Sequence, residues 1–394
     1  MTEQKLRLLI VGRTRYDLPL DQSLARKFAA LARHFDLRVL AGAGATNAHD
    51  PTFRLVRRVR PAPLDAALFH FLLPLRIGRE LRAFAPDAVL VQGAHEAAIA
   101  LVALRLAHSR AALLVDVHGD WRAAPRLYGS SARRLLARFA DRLAVAALRR
   151  ADAVRTVSRF TSARVREAGV EPAAEFAAFI DVESLLEREP VPLPESPVAL
   201  FVGVLERYKD VDGLAAAWRD VAARVPNAEL RIVGDGSRAR VVRRLERDIP
   251  GRVTWTRRLP PEQIASALDA ATCLVLPSPL EGMGRVIVEA FCRGRPVVGA
   301  LAGGIPELVV HGQNGLLVAP HDARALADAL VRLLAGGEAE RFGAAARAAA
   351  ERGAVGADAY ARSLAAVVAV AVGRRAGAAG SPVRRAGRER SVAP

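Results

Sequence analysis

Short apolar runs alternate with amphipathic stretches along most of the chain. Residues 6–12 form the first apolar run, and residues 22–33 carry apolar side chains at the spacing of a helix. Residues 13–21 follow neither pattern and are predicted to form the loop between this strand and this helix. Further strands are predicted at residues 37–41, 53–60, 88–92, 111–117 and 153–158, with helices at 64–84 and 96–107. This alternation predicts a parallel sheet with helices on its faces.

A proline-rich and charged segment, residues 186–197, interrupts the alternation and has the composition of a linker. The pattern then resumes, with strands at 198–203, 228–233, 252–255 and 273–276 and helices at 211–224, 323–334 and 339–352. We therefore expect an α/β protein with two doubly wound domains, residues 1–185 and 198–355, and a ligand crevice between them. A last helix is predicted at 356–372. Residues 373–394 are basic and lack apolar periodicity, so we expect disorder there.

A glycine-containing turn follows the predicted strand at residues 273–276. The run Glu281-Gly282-Met283-Gly284 leads from this strand into residues 285–292, which have helical spacing. Glu281 therefore lies at the carboxyl edge of a strand, where open α/β sheets bind ligands. Free N–H groups at a helix start favour an anion such as a phosphate. The two glycines lack a Cβ, so a ligand can lie against their backbone.

Glu281 and Glu289 lie eight positions apart, which is about two helical turns, so both side chains can face one side. Two carboxylates facing one crevice can each accept hydrogen bonds from a pair of vicinal hydroxyls, which suits a carbohydrate better than a bare phosphate. The spacing alone leaves an alternative equally open, in which Glu289 is an exposed helix residue and Glu281 a helix cap.

Two more turns complete this stretch, residues 303–307 (GGIPE) and 311–315 (HGQNG). With them, residues 277–315 resemble the donor-sugar signature of family 4 glycosyltransferases, which are retaining enzymes of the GT-B fold. Its elements are E-G-x-G, a second Glu, C-G-x-P-V-V, G-G-x-P-E and G-x-x-G. The chain departs from it after Cys292, where Arg293-Gly294-Arg295-Pro296 is one residue longer. The resemblance implies two Rossmann-like domains facing across a cleft, and a nucleotide-diphosphate sugar as co-substrate without a metal ion or other cofactor.

The resemblance also assigns roles to this stretch. Glu281 is expected to hold hydroxyls of the donor sugar and Glu289 those of the ribose. Backbone N–H groups of Gly282, Met283 and Gly284 are expected to lie nearby on the donor.

A second candidate cluster follows the strand at residues 198–203. Lys209 comes after Gly203 and before a helix, where a lysine can neutralise a diphosphate as the glycosidic bond breaks; a solvated lysine at a helix start is the alternative. The family pattern is G-R-x-x-x-x-K-G, and Val204 stands where the arginine is expected. Arg207, or an arginine of the other domain, is the candidate replacement.

Further candidates follow other predicted strands. His118 comes after the strand at 111–117, where an imidazole can bond a sugar hydroxyl or position the leaving phosphate. The family often has a histidine here. Gly12 ends the first strand and is expected to approach the donor, with a purely structural glycine as an equal alternative. The turn of Gly234 and Gly236 matches a V-G-x-G turn near the nucleotide base. Asp210-Val211-Asp212 resembles a metal motif, but its place at a helix start argues against that role.

Composition narrows the cellular setting. The chain has 394 residues, of which 52% are hydrophobic, enough for two cores. It has two cysteines and no predicted disulfide framework, which indicates a reducing compartment. We find no signal peptide pattern and no apolar run long enough to span a bilayer. We therefore expect a cytoplasmic protein, with peripheral contact at the inner face of the membrane as an open alternative.

The net charge of +17 favours anionic partners, although part of it lies in the basic tail. Aromatic residues make up only 5% and no nucleic-acid module is recognisable, so nucleic acid is disfavoured as a partner. Residues 64–84 combine apolar side chains at helical spacing with arginines, a pattern that can lie on an anionic membrane. Pro74 is expected to divide this segment, and packing of its apolar face on the sheet is the favoured alternative.

The expected activity is transfer of a sugar from a nucleotide-diphosphate donor to a hydroxyl of a glycan, a lipid-linked compound or a small molecule. Two other readings stay open. A sugar-phosphate synthase or a sugar epimerase could share the donor site, because fold does not fix function. A basic surface-binding protein that has lost activity is the third, and Val204 would fit it.

Overall fold

The computed structural model describes residues 5–59, 62–122 and 131–380 of the chain. Its strands form two sheets, and every pairing within them is parallel. Helices cover both faces of each sheet, so the predicted doubly wound α/β architecture is confirmed.

The N-terminal sheet has seven strands in the order β3-β2-β1-β4-β5-β6-β7. Its strands are β1 (Leu6–Leu18), β2 (Phe35–Asn47), β3 (Phe53–Val56), β4 (Ala88–Gln92), β5 (Ala112–Val117), β6 (Ala153–Thr156) and β7 (Ala174–Glu175). The helices of this half are α1 (Gln22–His34), α2 (Ala62–Ala83), α3 (Ala94–Leu106), α4 (Ser131–Leu148), α5 (Arg159–Glu167) and α6 (Val182–Leu186). The edge strand β7 and the helices α4 and α5 were not predicted.

The C-terminal sheet has six strands in the order β10-β9-β8-β11-β12-β13. They are β8 (Val198–Val202), β9 (Glu229–Val233), β10 (Val253–Thr256), β11 (Cys273–Leu276), β12 (Val297–Ala300) and β13 (Gly315–Val318). Its helices are α7 (Val211–Arg224), α8 (Ala239–Asp248), α9 (Pro261–Asp269), α10 (Arg285–Cys292), α11 (Ile305–Leu308), α12 (Ala323–Ala335) and α13 (Ala339–Arg352), with a 3-10 turn at Arg207–Lys209. Helices α8 and α9 were not predicted.

Alternation along β1 divides the N-terminal core into two layers. Leu9 and Val11 face α2, α3 and α4, whereas Leu8 and Ile10 face α1 on the opposite side of the sheet, as the two-residue period of a strand requires. The last helix, α14 (Ala357–Gly380), packs on the second layer with Leu364, so the chain returns to the N-terminal sheet.

The first strand is longer than predicted. Residues 13–18 were expected in a loop, but β1 continues to Leu18 and pairs with β2 after a register shift that follows Val11. Pairing with β4 stops at Val11, so Gly12 follows the last residue that is paired on both sides. A Cβ at Gly12 would lie 2.4 Å from Gln92 Oε1. The prediction that Gly12 ends the strand is wrong, because β2 also extends and supplies partners for residues 15–18.

Two further predictions are corrected at helices. Pro74 does not divide the segment 64–84, because α2 is one helix that contains it. Disorder from residue 373 onward is wrong for residues 373–380, which continue α14. Residues 381–394 of the predicted tail lie outside the described residues.

Two buried arginines hold the segment between the two sheets. The Arg293 guanidinium donates to the carbonyls of Leu185, Arg188 and Glu189 and bonds the Asp269 carboxylate. Arg295 likewise donates to carbonyls of the same segment, at Val191 and Pro192. Both arginines lie in residues 293–296, where the sequence differs from the family signature. The residues that differ therefore hold the linker in place through hydrogen bonds.

No single helix in the described part of the chain is long and apolar enough to cross a membrane. One pair of helices joined at a bend, Ala339–Arg352 and Ala357–Gly377, is together long and apolar enough for a span, by length and composition only.

Candidate functional site

A cleft of about 660 Å³ lies between the two sheets. Its lining comes mostly from the outer half of β1, including Thr14, from residues that follow β4 and β5, including Gly93 and His118, and from α1. Arg285 and Pro261 line it from the C-terminal half. In each sheet the strand order reverses beside the first strand, β1 or β8, and ligands of open α/β sheets bind at this switch point.

Lys209 and Glu281 form an ion pair in the C-terminal half, close to the cleft but not among the residues that line it. Their atoms Nζ and Oε2 are 2.5 Å apart, and both side chains are largely buried. Glu281 Oε1 also accepts a hydrogen bond from the Gly284 N–H at 3.3 Å. The two residues follow β8 and β11, which are neighbours in the sheet, so strand order brings them together across 72 positions.

His118 is held by a buried carboxylate behind it. Its Nε2 lies 2.8 Å from Asp116 Oδ2, and the other Asp116 oxygen accepts from Arg155 at 2.6 Å. Burial alone would raise the pKa of Asp116, but His118 and Arg155 lower it below the ordinary range of an aspartate. An ionised Asp116 only accepts, so Nε2 carries the proton and Nδ1 is left for a ligand.

Gly282 brings the two halves of the cleft into backbone contact. A Cβ on Gly282 would lie 1.9 Å from the carbonyl oxygen of His118. The Gly282 carbonyl in turn accepts a hydrogen bond from Ser158 Oγ at 2.6 Å. The glycine therefore allows the loop with Glu281 to lie directly against the loop with His118.

Glu307 and Met283 also connect the C-terminal half to the N-terminal half near Gly282. The carboxylate of Glu307 accepts from the backbone N–H of Arg159 at 2.9 Å and of Phe160 at 2.7 Å, which are the first residues of α5. The Ala178 N–H lies 3.3 Å from Met283 Sδ. Sequence reasoning expected a backbone role for Met283 and none for Glu307 or Ser158; the GGIPE match was the only signal at Glu307.

The other predicted glycines have a packing reason for their identity. A Cβ at Gly234 would lie 1.9 Å from the Gly203 carbonyl oxygen, and one at Gly236 would lie 2.6 Å from the carbonyl oxygen of Leu205. The turn after β9 thus supports the loop after β8. Gly203 itself lies beside Lys209, whose Cε would be 3.8 Å from a Cβ at Gly203.

Glu289 lies on α10, but Glu281 does not. The helix begins at Arg285, after Gly284 with a φ of 80°. The argument that placed both glutamates on one helical face is therefore wrong. Glu289 lies 3.9 Å from the Arg285 guanidinium. Burial raises its pKa above the ordinary value of a glutamate, and Arg285 partly opposes this rise.

Lys27 is a cleft residue that sequence reasoning missed. It lies on α1 and lines the cleft, with its ammonium 5.4 Å from the Phe28 ring centroid and 5.8 Å from that of Tyr360. Burial lowers the pKa of Lys27 to about 8; Asp116 opposes this effect, and Arg285 adds to it. Nothing in the amphipathic pattern of α1 distinguishes this lysine, because Tyr360 reaches it from α14.

Arg207 opens the 3-10 turn before Lys209 and is exposed, as is Val204. The two aspartates of the superficial metal motif are engaged elsewhere. Asp210 caps α7 by accepting from the Gly213 N–H, and Asp212 pairs with Arg238. In the described part of the chain no group of three or more His, Cys, Asp or Glu side chains is placed to hold a metal ion.

Two family profiles match the chain. The one described as Glycosyltransferase Family 4 matches residues 22–175, and the one described as Glycosyl transferases group 1 matches residues 196–336. The first match contains His118 and the second contains Lys209 and Glu281, so the two profiles cover both sides of the cleft.

Curated relatives match over shorter regions. The D-inositol 3-phosphate glycosyltransferase of Corynebacterium diphtheriae is 36% identical over 152 residues, which is 36% of this chain and 35% of the relative. The GDP-mannose-dependent alpha-(1-6)-phosphatidylinositol monomannoside mannosyltransferase of Mycolicibacterium smegmatis is 33% identical over 205 residues, 47% of this chain and 53% of the relative. The chain thus spans about a third to a half of the length of these relatives.

Solved structures match over nearly the whole chain. Sucrose-phosphate synthase from Thermosynechococcus elongatus has a TM-score of 0.74 at 21% identity and covers 95% of this chain and 100% of its own. Anabaena HepE in complex with UDP and glucose has a TM-score of 0.66 at 19% identity, with 92% and 99% covered. These likenesses show that the two-domain fold is shared.

Proposed function

Because this chain belongs to glycosyltransferase family 4 and has the GT-B fold, we propose that it transfers a sugar from a nucleotide-diphosphate donor to a hydroxyl of an acceptor, with retention of configuration. The names of the matched relatives support the activity, and one of them is GDP-mannose-dependent. Structural neighbours that bind UDP or UDP-glucose support the donor class. Two buried, unpaired cysteines fit the proposed cytoplasmic location.

The observation that carries the proposal is the Lys209–Glu281 ion pair, held beside His118 by the contact at Gly282. The two opposite charges satisfy each other in the structure. A bound donor would replace this ion pair with contacts of its own. The Lys209 ammonium would face the diphosphate, and the Glu281 carboxylate would accept hydrogen bonds from sugar hydroxyls. Preorganised charge of this kind stabilises the leaving group in the transition state without reorganising at that moment.

The remaining donor contacts follow from position. Glu289, on the helix after Gly284, would accept hydrogen bonds from the ribose hydroxyls. Backbone N–H groups of Gly282, Met283 and Gly284 would approach the donor beside the helix start, where the dipole of α10 favours phosphate. His118 Nδ1 would contact the sugar from the N-terminal side. Arg285, which lines the cleft, joins Arg207 as a candidate for the second phosphate cation.

We assign the chemistry to attack from the face that the diphosphate leaves. The acceptor oxygen bonds the anomeric carbon, the bond to the diphosphate oxygen breaks with its electron pair, and the departing oxygen takes the acceptor proton. The lining carboxylates of the described residues support this path, because each is already engaged. Asp21 accepts from the Leu24 N–H, Glu96 from His70, and Asp120 from the Arg122 N–H.

Lys27 limits the kind of acceptor that the cleft would bind. Arg155 and Arg285 are close enough to disfavour its charge, and Asp116 is shared between His118 and Arg155. The ammonium of Lys27 would therefore bind a negatively charged group of the acceptor, such as a phosphate, on a side of the cleft that Asp21, Glu96 and Asp120 also line. Glycan, lipid-linked and small acceptors of this kind all remain within the proposal.

The first experiment is a thermal-shift screen of the protein with UDP- and GDP-linked sugars, because a ligand that binds the folded state raises its apparent stability. Sugar release and transfer are then followed for wild type and Glu281→Gln, which keeps the shape of the side chain. Loss of transfer in Glu281→Gln supports the proposal. Donor conversion to an isomeric sugar nucleotide would identify an epimerase instead. Equal donor turnover in both proteins would contradict a catalytic role for this site.

A further inference from the structure

The outer surface of α2, α3 and α4 is unlike the rest of the N-terminal domain. The three helices lie side by side with α3 in the middle. Their inner faces pack on the sheet through residues such as Ile77, Ala100 and Ala144. Helix α2 therefore does bury an apolar face, as the favoured sequence reading expected, yet apolar side chains are also found on its outer face.

Each of the three helices exposes one apolar pair at i,i+4 spacing. Single exposed apolar residues are common, but exposed apolar pairs on three adjacent helices indicate an interaction surface. Each of these side chains belongs to a residue that is between 47% and 78% exposed. The pairs are Phe71 with Leu75, Val102 with Leu106, and Phe139 with Leu143.

In the described parts of these helices, the negatively charged side chains face inward and the exposed charged side chains are positive. Their carboxylates are turned inward and matched: Asp65 with Arg15, Glu80 with Arg38, Glu96 with His70, and Asp141 with His95. Among the described side chains of the three helices, every charged residue classed as exposed is an arginine. These arginines are Arg79, Arg82, Arg105, Arg138 and Arg142.

A recess of about 520 Å³ opens on α4 and concentrates this charge. Within the described ranges, neither Arg138 nor Arg142 forms an ion pair. One carboxylate, Asp141, also lines the recess, and it is buried beside His95. Arg122 lines the recess and its neighbour Trp121 lines the main cleft, so the recess and the cleft are close to each other. Five arginines line the recess: Arg122, Arg138, Arg142, Arg149 and Arg150.

We infer that the outer surface of α2, α3 and α4 docks on an anionic lipid bilayer. The apolar pairs enter the boundary between headgroups and acyl chains, while the arginines contact lipid phosphates, with the recess as a headgroup site. Interfacial helices bind membranes by this combination of apolar area and attraction to anionic lipid. A bilayer explains exposed apolar pairs together with exposed arginines on the same three helices, whereas a nucleic acid would use the arginines alone. The docking surface needs no donor and does not depend on the proposed activity.

The test is co-sedimentation of the full chain with vesicles of phosphatidylcholine, alone or mixed with phosphatidylglycerol, at low and high salt. Binding is expected to the mixed vesicles only and to weaken with salt. Arg138→Gln with Arg142→Gln should lower the affinity by roughly 10- to 30-fold, at about fivefold for each arginine. The matched control is Arg240→Gln with Arg244→Gln, an exposed i,i+4 pair on α8 of the other domain, which should bind like wild type.

A second variant tests the apolar half of the surface. Phe71→Ser with Leu75→Ser should weaken binding at both salt concentrations, whereas Val355→Ser, exposed between α13 and α14, should not. An unchanged thermal midpoint shows that each variant is folded. The inference is overturned if mixed vesicles are not bound at low salt, or if the α8 pair matters as much as the α4 pair. It is also overturned if the serine pair has no effect.

Discussion

Adding one methyl group at Gly282 should separate the two halves of the cleft. The new Cβ would lie 1.9 Å from the carbonyl oxygen of His118 and 3.1 Å from Gly119 Cα, all backbone atoms that cannot rotate away. Real Cβ contacts are essentially never shorter than 3.0 Å, so the two loops must move apart by about 1.1 Å. The backbone φ of Gly282 is outside the left-handed region, so the effect is steric rather than conformational.

A shift of this size would move Glu281 away from His118, and under the proposed function these two residues contact the donor sugar from opposite sides. Misplacement of about 1 Å can lower kcat by roughly 100-fold, which is about 2.7 kcal/mol of transition-state stabilisation. We therefore expect Gly282→Ala to lose transfer by this order. Both sheets keep their cores, so the thermal midpoint should change little. The assay is steady-state transfer with the donor found by thermal shift, together with calorimetric donor binding.

Gly119→Ala is the matched control, because a Cβ there would meet nothing within 4 Å although it adjoins His118. It should retain wild-type kcat. Wild-type turnover in Gly282→Ala would refute the reasoning that close contact of the two loops is required. An equal loss in Gly119→Ala would refute it as well, since the effect would then not arise from the contact with Gly282.

Three further outcomes follow from buried charges. Lys209→Met should lower kcat by about 100- to 1,000-fold in transfer assays, with partial recovery in Lys209→Arg, because the leaving diphosphate loses its cation; unchanged kcat would exclude this role. Lys27→Met should raise the free energy of unfolding by about 1–3 kcal/mol below pH 8, where the partly buried ammonium is charged in both states. This gain should fade as pH rises from about 8 to 10.5, since the folded state releases the proton first, and urea unfolding at pH 7 and 10 checks the sign. Arg155→Met should lower the free energy of unfolding by about 3–5 kcal/mol, because Asp116 is left without its buried partner. Adding Asp116→Asn should restore part of this loss in urea unfolding, and no recovery would contradict the pairing.

Elements whose signals are local were predicted closely. The bounds of β4, β11, α7, α10 and α13 agree with the sequence pattern, because buried apolar runs, Pro277 and the glycine turns act within a few residues. Elements that depend on a distant partner were missed. Residues 13–18 carry no strand pattern, and they are extended because β2 continues beside them.

The candidate site divides in the same way. Motif spacing identified Glu281, Lys209 and His118, but not that the first two pair with each other or that Arg155 supports the third through Asp116. Sequence reasoning treated Gly234 and Gly236 as donor contacts, whereas the structure gives them a packing reason. Their roles toward a donor remain predictions.

Residue order alone was enough to predict alternating strands and helices, two sheets and the loops that hold the candidate site residues, because hydrophobic periodicity and turn residues act over short distances. Tertiary packing decided the environment of each side chain. Lys27 meets Tyr360 only because α14 returns to the N-terminal sheet, and Gly282 meets His118 only because the two sheets face each other. Burial, pairing and pKa depend on neighbours that lie far away along the chain, and so they emerge only once the chain has folded.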